Sequence, residues 1–150
     1  MKGSELRLIE YMEGSKKRFI IPVYQRNYDW KIENCKQLYD DLIQVIKNNS
    51  KTHFFGSIVS VYEPSGRNTE FLIIDGQQRL TTMSLLFLAL YNLLEEKIII
   101  SEDESLKDQI YEDFLVDKYQ PQEKRMKLKP IKNDQKAFGI LFDQDEEYIP

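Results

Sequence analysis

The chain has 150 residues, 41% of them hydrophobic and 12% aromatic, enough to build one compact domain around a real core. Charged residues make up 31%, with 21 basic against 25 acidic, for a formal net charge of -4. That balance argues against non-specific coating of nucleic acid, which needs a broad basic excess. One cysteine excludes an intramolecular disulfide, and one histidine excludes a metal site built from several His and Cys ligands. The first residues lack the apolar stretch of a secretory signal. The longest apolar-rich run, Leu85 to Leu94, is broken by Asn92 and is too short to span a bilayer. A cytoplasmic protein without membrane partners is expected.

In chain order, Leu6, Ile9 and Tyr11 predict a short amphipathic helix within residues 4–13, ended by Gly14. Phe19-Ile20-Ile21 reads as a buried strand stopped by Pro22. From Trp30 to Lys47, Ile32, Cys35, Leu38, Tyr39, Leu42, Ile43 and Ile46 form one helical stripe, with Asp29 as the expected N-cap. Phe54 to Tyr62 and Glu70 to Ile74 are β-rich runs separated by turn residues 63–68, a hairpin. Residues 77–96 are helical, with Leu80, Met83, Leu86, Phe87, Leu90 and Leu94 facing inward. A helix over residues 102–118 is expected from Ser101 and Glu104 at capping-box spacing. Met126 to Leu128 suggests a short strand and Asn133 to Leu141 a last helix. This order fits a single small α+β domain, a mixed sheet with packed helices, over residues 1–150. The acidic cluster Asp143, Asp145, Glu146 and Glu147 before the end suggests the N-terminal part of something longer.

The chemistry concentrates in Phe71-Leu72-Ile73-Ile74-Asp75-Gly76-Gln77-Gln78-Arg79-Leu80-Thr81-Thr82. A strand delivers a carboxylate, one glycine turns the corner, and a helix begins. A helix N-terminus favours an anion, through its N–H groups and the positive end of its dipole. Arg79 offers a bidentate fork for phosphate, and Thr81 and Thr82 add hydroxyls. Asp75 is suited to a hydrated Mg²⁺ or to orienting an attacking water. The same letters also fit an ordinary N-cap with a wet helix face, so the spacing alone supports an anion site and no more.

A second cluster is Ile21-Pro22-Val23-Tyr24-Gln25-Arg26-Asn27-Tyr28-Asp29-Trp30. Tyr24 and Tyr28 beside Arg26 suit the stacking of a base, whereas Trp30 reads better as packing at the helix start. Gln25 and Arg26 add little to a core and fit a polar site. No Gly-x-x-x-x-Gly-Lys-[Ser/Thr] occurs, which excludes a P-loop NTPase. His53 alone cannot build an HNH nuclease, and beside Phe54 and Phe55 it reads as structural. The basic groups Lys16-Lys17-Arg18 and Lys124, Arg125, Lys127, Lys129, Lys132 read first as solvated loop charge and second as phosphate contacts.

Three blocks occur in order: Ile21-Pro22-x-Tyr24-Gln25-Arg26-x-Tyr28-x-Trp30, Phe54-Phe55-Gly56-Ser57-Ile58-Val59, and Ile74 to Thr82. Together they resemble the N-terminal DGQQR domain of GmrSD-type, modification-dependent restriction proteins and their relatives in phage defence. That family is related to the ParB/sulfiredoxin fold. The likeness is strongest over residues 22–94, with residues 101–150 as a helical extension; Lys127-Leu128, Asp134 and Phe138 fit less specifically.

The resemblance implies a nucleoside-triphosphate-binding and hydrolysing domain, coupled to DNA cleavage by a separate C-terminal nuclease. It implies roles for Asp75, Gly76, Gln77, Gln78 and Arg79, with Gln25 and Arg26 as the upstream polar pair. In the expected mechanism Arg79 and the helix amides hold the triphosphate, Asp75 holds Mg²⁺ or water, Gln77 or Gln78 orients the nucleophile, and Arg26 is a second cation. Tyr24 and Tyr28 take the family's aromatic positions, used in relatives for nucleotide binding or for sensing modified DNA. The rival reading is a non-catalytic module that recognises modified DNA or a partner protein. The cysteine of the sulfiredoxin motif is absent, and Cys35, on the stripe of a helix, reads as packing.

Overall fold

A computed structural model describes residues 8–22, 28–48, 58–121 and 125–143. In chain order these form α1 (Leu8–Met12), β1 (Lys17–Ile20), α2 (Ile32–Lys47), β2 (Val59–Ser65), β3 (Asn68–Asp75), α3 (Gln77–Glu95) and α4 (Leu106–Ile110). A π-helical turn (Tyr111–Leu115), β4 (Leu128–Lys129) and α5 (Lys132–Asp143) follow. The sheet order is β2-β3-β1-β4. β2 and β3 pair antiparallel, while β1 runs parallel to both β3 and β4. The α+β class and mixed sheet expected from the sequence are therefore present.

The hairpin is tighter than its turn residues suggest. Ser65 pairs with Asn68, so the loop is Gly66-Arg67, with Gly66 at φ +63° supplying the left-handed step. Glu63, Pro64 and Ser65, read from sequence as turn, belong to β2. Pro64 is tolerated because β2 is an edge strand, where a missing N–H breaks no interior ladder.

The core joins both layers. Phe19 of β1, Ile73 of β3 and Leu128 of β4 pack with Met12, Leu38, Leu80, Met83 and Phe138 from four helices. Phe19 and Phe71 stack at 5.3 Å, with the Tyr11 ring 5.1 Å from Phe19. A second cluster joins Leu88 of α3 to Ile110, Leu115 and Val116. α3 is thus the wall shared by both clusters, which fixes its axis and the direction in which its first turn points.

Three expectations need correction. Asp29 does not cap α2: the helix starts at Ile32, and Asn34 Oδ1 accepts the Lys31 N–H at 2.9 Å. Only one edge of the α2 stripe meets the core, through Leu38 and Leu42, while Ile32, Tyr39 and Ile46 are exposed. The helix expected over residues 102–118 is shorter, and Ser101 and Glu104 form no capping box. Asp103 Oδ1 accepts from the Ser105 N–H and hydroxyl, α4 begins at Leu106, and the π turn ends where Val116 bridges Met126.

Lys127 also departs from the solvated reading. It is 2% exposed, and its ammonium donates to the carbonyls of Met12, Gly14 and Asp113 at 2.5, 2.7 and 2.5 Å. One cation thereby ties the end of α1 to the π turn and to the start of β4.

Candidate functional site

β3 ends at Asp75, and Gly76 follows at φ +88°, a left-handed conformation that favours glycine over any residue with a Cβ. That step turns the chain directly into α3. The exposed Asp75 accepts the Gly76 N–H at Oδ1, 2.9 Å away, so its carboxylate sits against the N-terminal end of the helix. A helix uses none of its first N–H groups internally, and its dipole is positive there. The corner read from the sequence is therefore formed, with the carboxylate on its outer side.

The next residues turn inward. Gln77 and Gln78 are buried, as are Thr81 and Thr82. The Thr81 hydroxyl donates to the Gln77 carbonyl and the Thr82 hydroxyl to the Gln78 carbonyl, both at 2.8 Å. Back-bonding of this kind satisfies the hydroxyl protons inside the helix and removes them as donors to a ligand.

Gln78 and Thr82 stitch the upstream aromatic segment to α3. The Asp29 N–H donates to Gln78 Oε1 at 3.0 Å. The Tyr28 hydroxyl lies 2.9 Å from Thr82 Oγ1. Since the Thr82 proton is spent on Gln78, Tyr28 is the donor there, and the Cys35 thiol, 3.3 Å away, is left to donate to the phenol. Burial pushes the Tyr28 phenol up to about 12. The Tyr28 N–H completes the arrangement by donating to Asp134 Oδ2 of α5 at 2.8 Å.

Between α3 and α5 lies a cavity of about 200 Å³. Its walls come mainly from Ile21, Tyr28, Leu85, Ile131 and Phe138, with Gln77, Gln78, Thr81 and Asp134 as polar members. At about 100° per residue, Gln77, Gln78, Thr81 and Leu85 share one face of α3, and Arg79 lies roughly 145° from its centre. Neither Asp75 nor Arg79 is among the described residues that line the cavity. The DGQQR stretch is thus divided: its amides face the cavity and its two charged residues do not.

The comparison with protein families decides the ancestry. The chain matches the family described as "GmrSD restriction endonuclease, N-terminal domain" over residues 8–150. It belongs to that family. No curated protein matches the chain.

Of the residues expected at the site in this GmrSD-family domain, Asp75, Gly76, Gln77, Gln78, Arg79, Thr81, Thr82 and Tyr28 gather around the start of α3. Tyr24, Gln25 and Arg26 lie outside the described residues, as does His53. Trp30 is half-buried against the core, in keeping with its reading as a packing residue. Asp134 is the residue whose role the sequence did not disclose. Its signals were a less specific place in the family likeness and an acidic side chain in the first turn of a helix, and neither points to the Tyr28 N–H as its partner. Among the described residues no three His, Cys, Asp or Glu side chains come together, and no helix is long and apolar enough to cross a membrane.

Proposed function

We propose that this domain binds a nucleoside triphosphate with Mg²⁺ at the β3–α3 corner and supports its hydrolysis. The observation that carries the reading is the Gly76 turn, which sets the Asp75 carboxylate against the N-terminus of a 19-residue helix in a domain of a restriction family. Phosphates would be held by the first N–H groups of α3 and by Arg79, with Arg26 of the upstream segment as a second cation. An anion beside Asp75 needs a cation between the two negative groups. Mg²⁺ suits that place, because it is commonly held by one or two carboxylates together with phosphate oxygens and water. Bound there, it would neutralise phosphate charge.

Gln78 positions the Tyr28–Asp29 backbone in this arrangement, and Asp75 would orient the attacking water. Electrostatic stabilisation by preplaced groups would supply most of the catalysis. Energy or licence from hydrolysis would pass to DNA cleavage in a separate nuclease domain, with DNA, modified or not, engaged through the whole protein.

Phosphate release from each of the four triphosphates with Mg²⁺ tests the proposal. The wild-type domain should release phosphate, and Asp75→Ala should abolish release with an unchanged circular dichroism spectrum. A folded Asp75→Ala protein that still hydrolyses removes Asp75 from the mechanism. No hydrolysis by wild type, with retained binding of modified DNA lost in Tyr28→Ala, would favour the non-catalytic module.

A further inference from the structure

We infer that the cavity between α3 and α5 is a subsite for one flat, uncharged ring bearing an N–H donor, of the nucleobase class, anchored by Asp134. The inference deepens the proposed nucleotide-binding reading but is tested without hydrolysis. Size is the first argument. At about 200 Å³ the cavity is smaller than the 300–1,000 Å³ typical of sites that enclose a whole drug-sized ligand. It is larger than the roughly 150 Å³ engineered cavity known to hold benzene. One ring system fits; a complete nucleotide does not.

The lining is the second argument. Tyr28 and Phe138 supply aromatic rings, and Ile21, Leu85 and Ile131 supply apolar walls. A phosphate would lose its hydration here without a cation to replace it, since no Lys or Arg is among the described lining residues. An uncharged π-face is what such walls accept.

Asp134 supplies the third argument. It lines the cavity, is half-buried, and spends Oδ2 on the Tyr28 N–H. An ionised carboxylate only accepts hydrogen bonds and has room for more than one donor. A ring N–H or exocyclic amine edge-on to Asp134 would meet that need while its face lies along Tyr28. The same hydrogen bond makes the subsite depend on the upstream segment, because Tyr28 positions the carboxylate as well as the wall.

The geometry also orders the ligand. Gln77 sends its side chain to the cavity while its backbone belongs to the first turn of α3 at the Asp75 corner. A base in the cavity and its phosphates at the corner would therefore lie on either side of one residue. A free nucleotide and a base splayed from single-stranded DNA present the same ring, and the two are separated by the ligands used.

The test is a calorimetric or NMR titration of the protein with the four ribonucleosides, which carry no phosphate, alongside a short mixed-sequence single-stranded DNA. At least one nucleoside should bind and compete with its own triphosphate. Asp134→Asn keeps an oxygen for the Tyr28 N–H but replaces the other acceptor with a donor, and should weaken that nucleoside about tenfold, within the range for a lost base-edge contact. Ala137→Phe, which fills the cavity from α5, should abolish nucleoside binding while the amide spectrum of the sheet stays in place. Competition by the DNA at matching strand concentration would identify a splayed base as the ligand, and its absence a free nucleotide. The inference is overturned if no nucleoside binds, or if a folded Ala137→Phe protein binds nucleosides as well as wild type. Hydrolysis that persists in that second case would leave the corner proposal standing and remove the cavity alone.

Discussion

Replacing Lys127 with methionine keeps most of the buried volume and removes both the charge and the donors, so it isolates what this cation does. Burial first, and then the nearby Lys17, pulls its ammonium down from 10.5 to about 8, against the opposing pull of Asp113, Asp117 and Glu13. A folded value below the unfolded one means that the unfolded chain binds more protons between about pH 8 and 10.5. Stability therefore rises with pH through that window, by about 3 kcal/mol in total. Methionine cannot titrate and leaves the carbonyls of Met12, Gly14 and Asp113 without this donor. A neutral amine satisfies two of them, at about 1–3 kcal/mol each. Lys127→Met should then cost about 2–6 kcal/mol above pH 10.5, and about 3 kcal/mol less than that at pH 7. Urea unfolding of both proteins from pH 7 to 10.5, read as the difference between them, cancels the titration of the tyrosines they share. A gap that is flat with pH, or that narrows as pH rises, refutes the reasoning. Narrowing would mean that three carbonyls hold the ammonium better than water does.

Two further substitutions probe the scaffold around the site. Gln78→Met removes the acceptor for the Asp29 N–H and should destabilise the fold by about 1–3 kcal/mol, with exchange of the Asp29 amide accelerated at least about tenfold. Unchanged protection of that amide would show that Gln78 does not hold the segment. Asp117 is buried, which opposes its charge, yet N–H donors from Lys16 and Tyr119 and the Gln120 amide hold its carboxyl below the usual value. Its contribution is present above the unfolded value near 3.8 and is lost as pH falls through the lower folded value, so acid unfolding of Asp117→Asn should show a shallower pH dependence than wild type. Parallel acid limbs would rule this out.

How much of this was legible in the sequence depends on how far apart the interacting groups lie. The hairpin and α3 were readable because β-branched runs, Gly66 and Gly76 specify their own backbone locally. Pro64 misled for the converse reason: its turn preference is local, but its permission to sit in a strand comes from the position of β2 at the sheet edge. Helical periodicity after Ser105 continues past Ile110, yet the Phe87–Phe114 stack at 4.2 Å and the Val116–Met126 bridge accompany a widened turn and then an extended chain. No window of local sequence contains those partners. Lys127 is the extreme case, since its acceptors are 115, 113 and 14 positions away and its own neighbours announce only solvated charge.

The site shows the same division. Its letters were legible, but their sorting was not, because sorting depends on the phase at which α3 leaves Gly76. With Leu80 fixed at 0% exposure in the core, Gln77, Gln78 and Thr81 are carried to the cavity and Arg79 away from it. An amide is the side chain that can be buried there without an unpaired charge, and Gln78 demonstrates the consequence by accepting the Asp29 N–H from 49 positions upstream. Two consecutive glutamines between a carboxylate and a guanidinium are thus what a helix start needs when it must face a largely apolar cavity on one side and charged chemistry on the other. Shifting the start of α3 by one residue would rotate every side chain by about 100°; in one direction Arg79 would take the place of Gln78, Gln78 that of Gln77, and Gln77 would leave the cavity face. The left-handed Gly76 fixes that phase, and both the corner and the cavity depend on it.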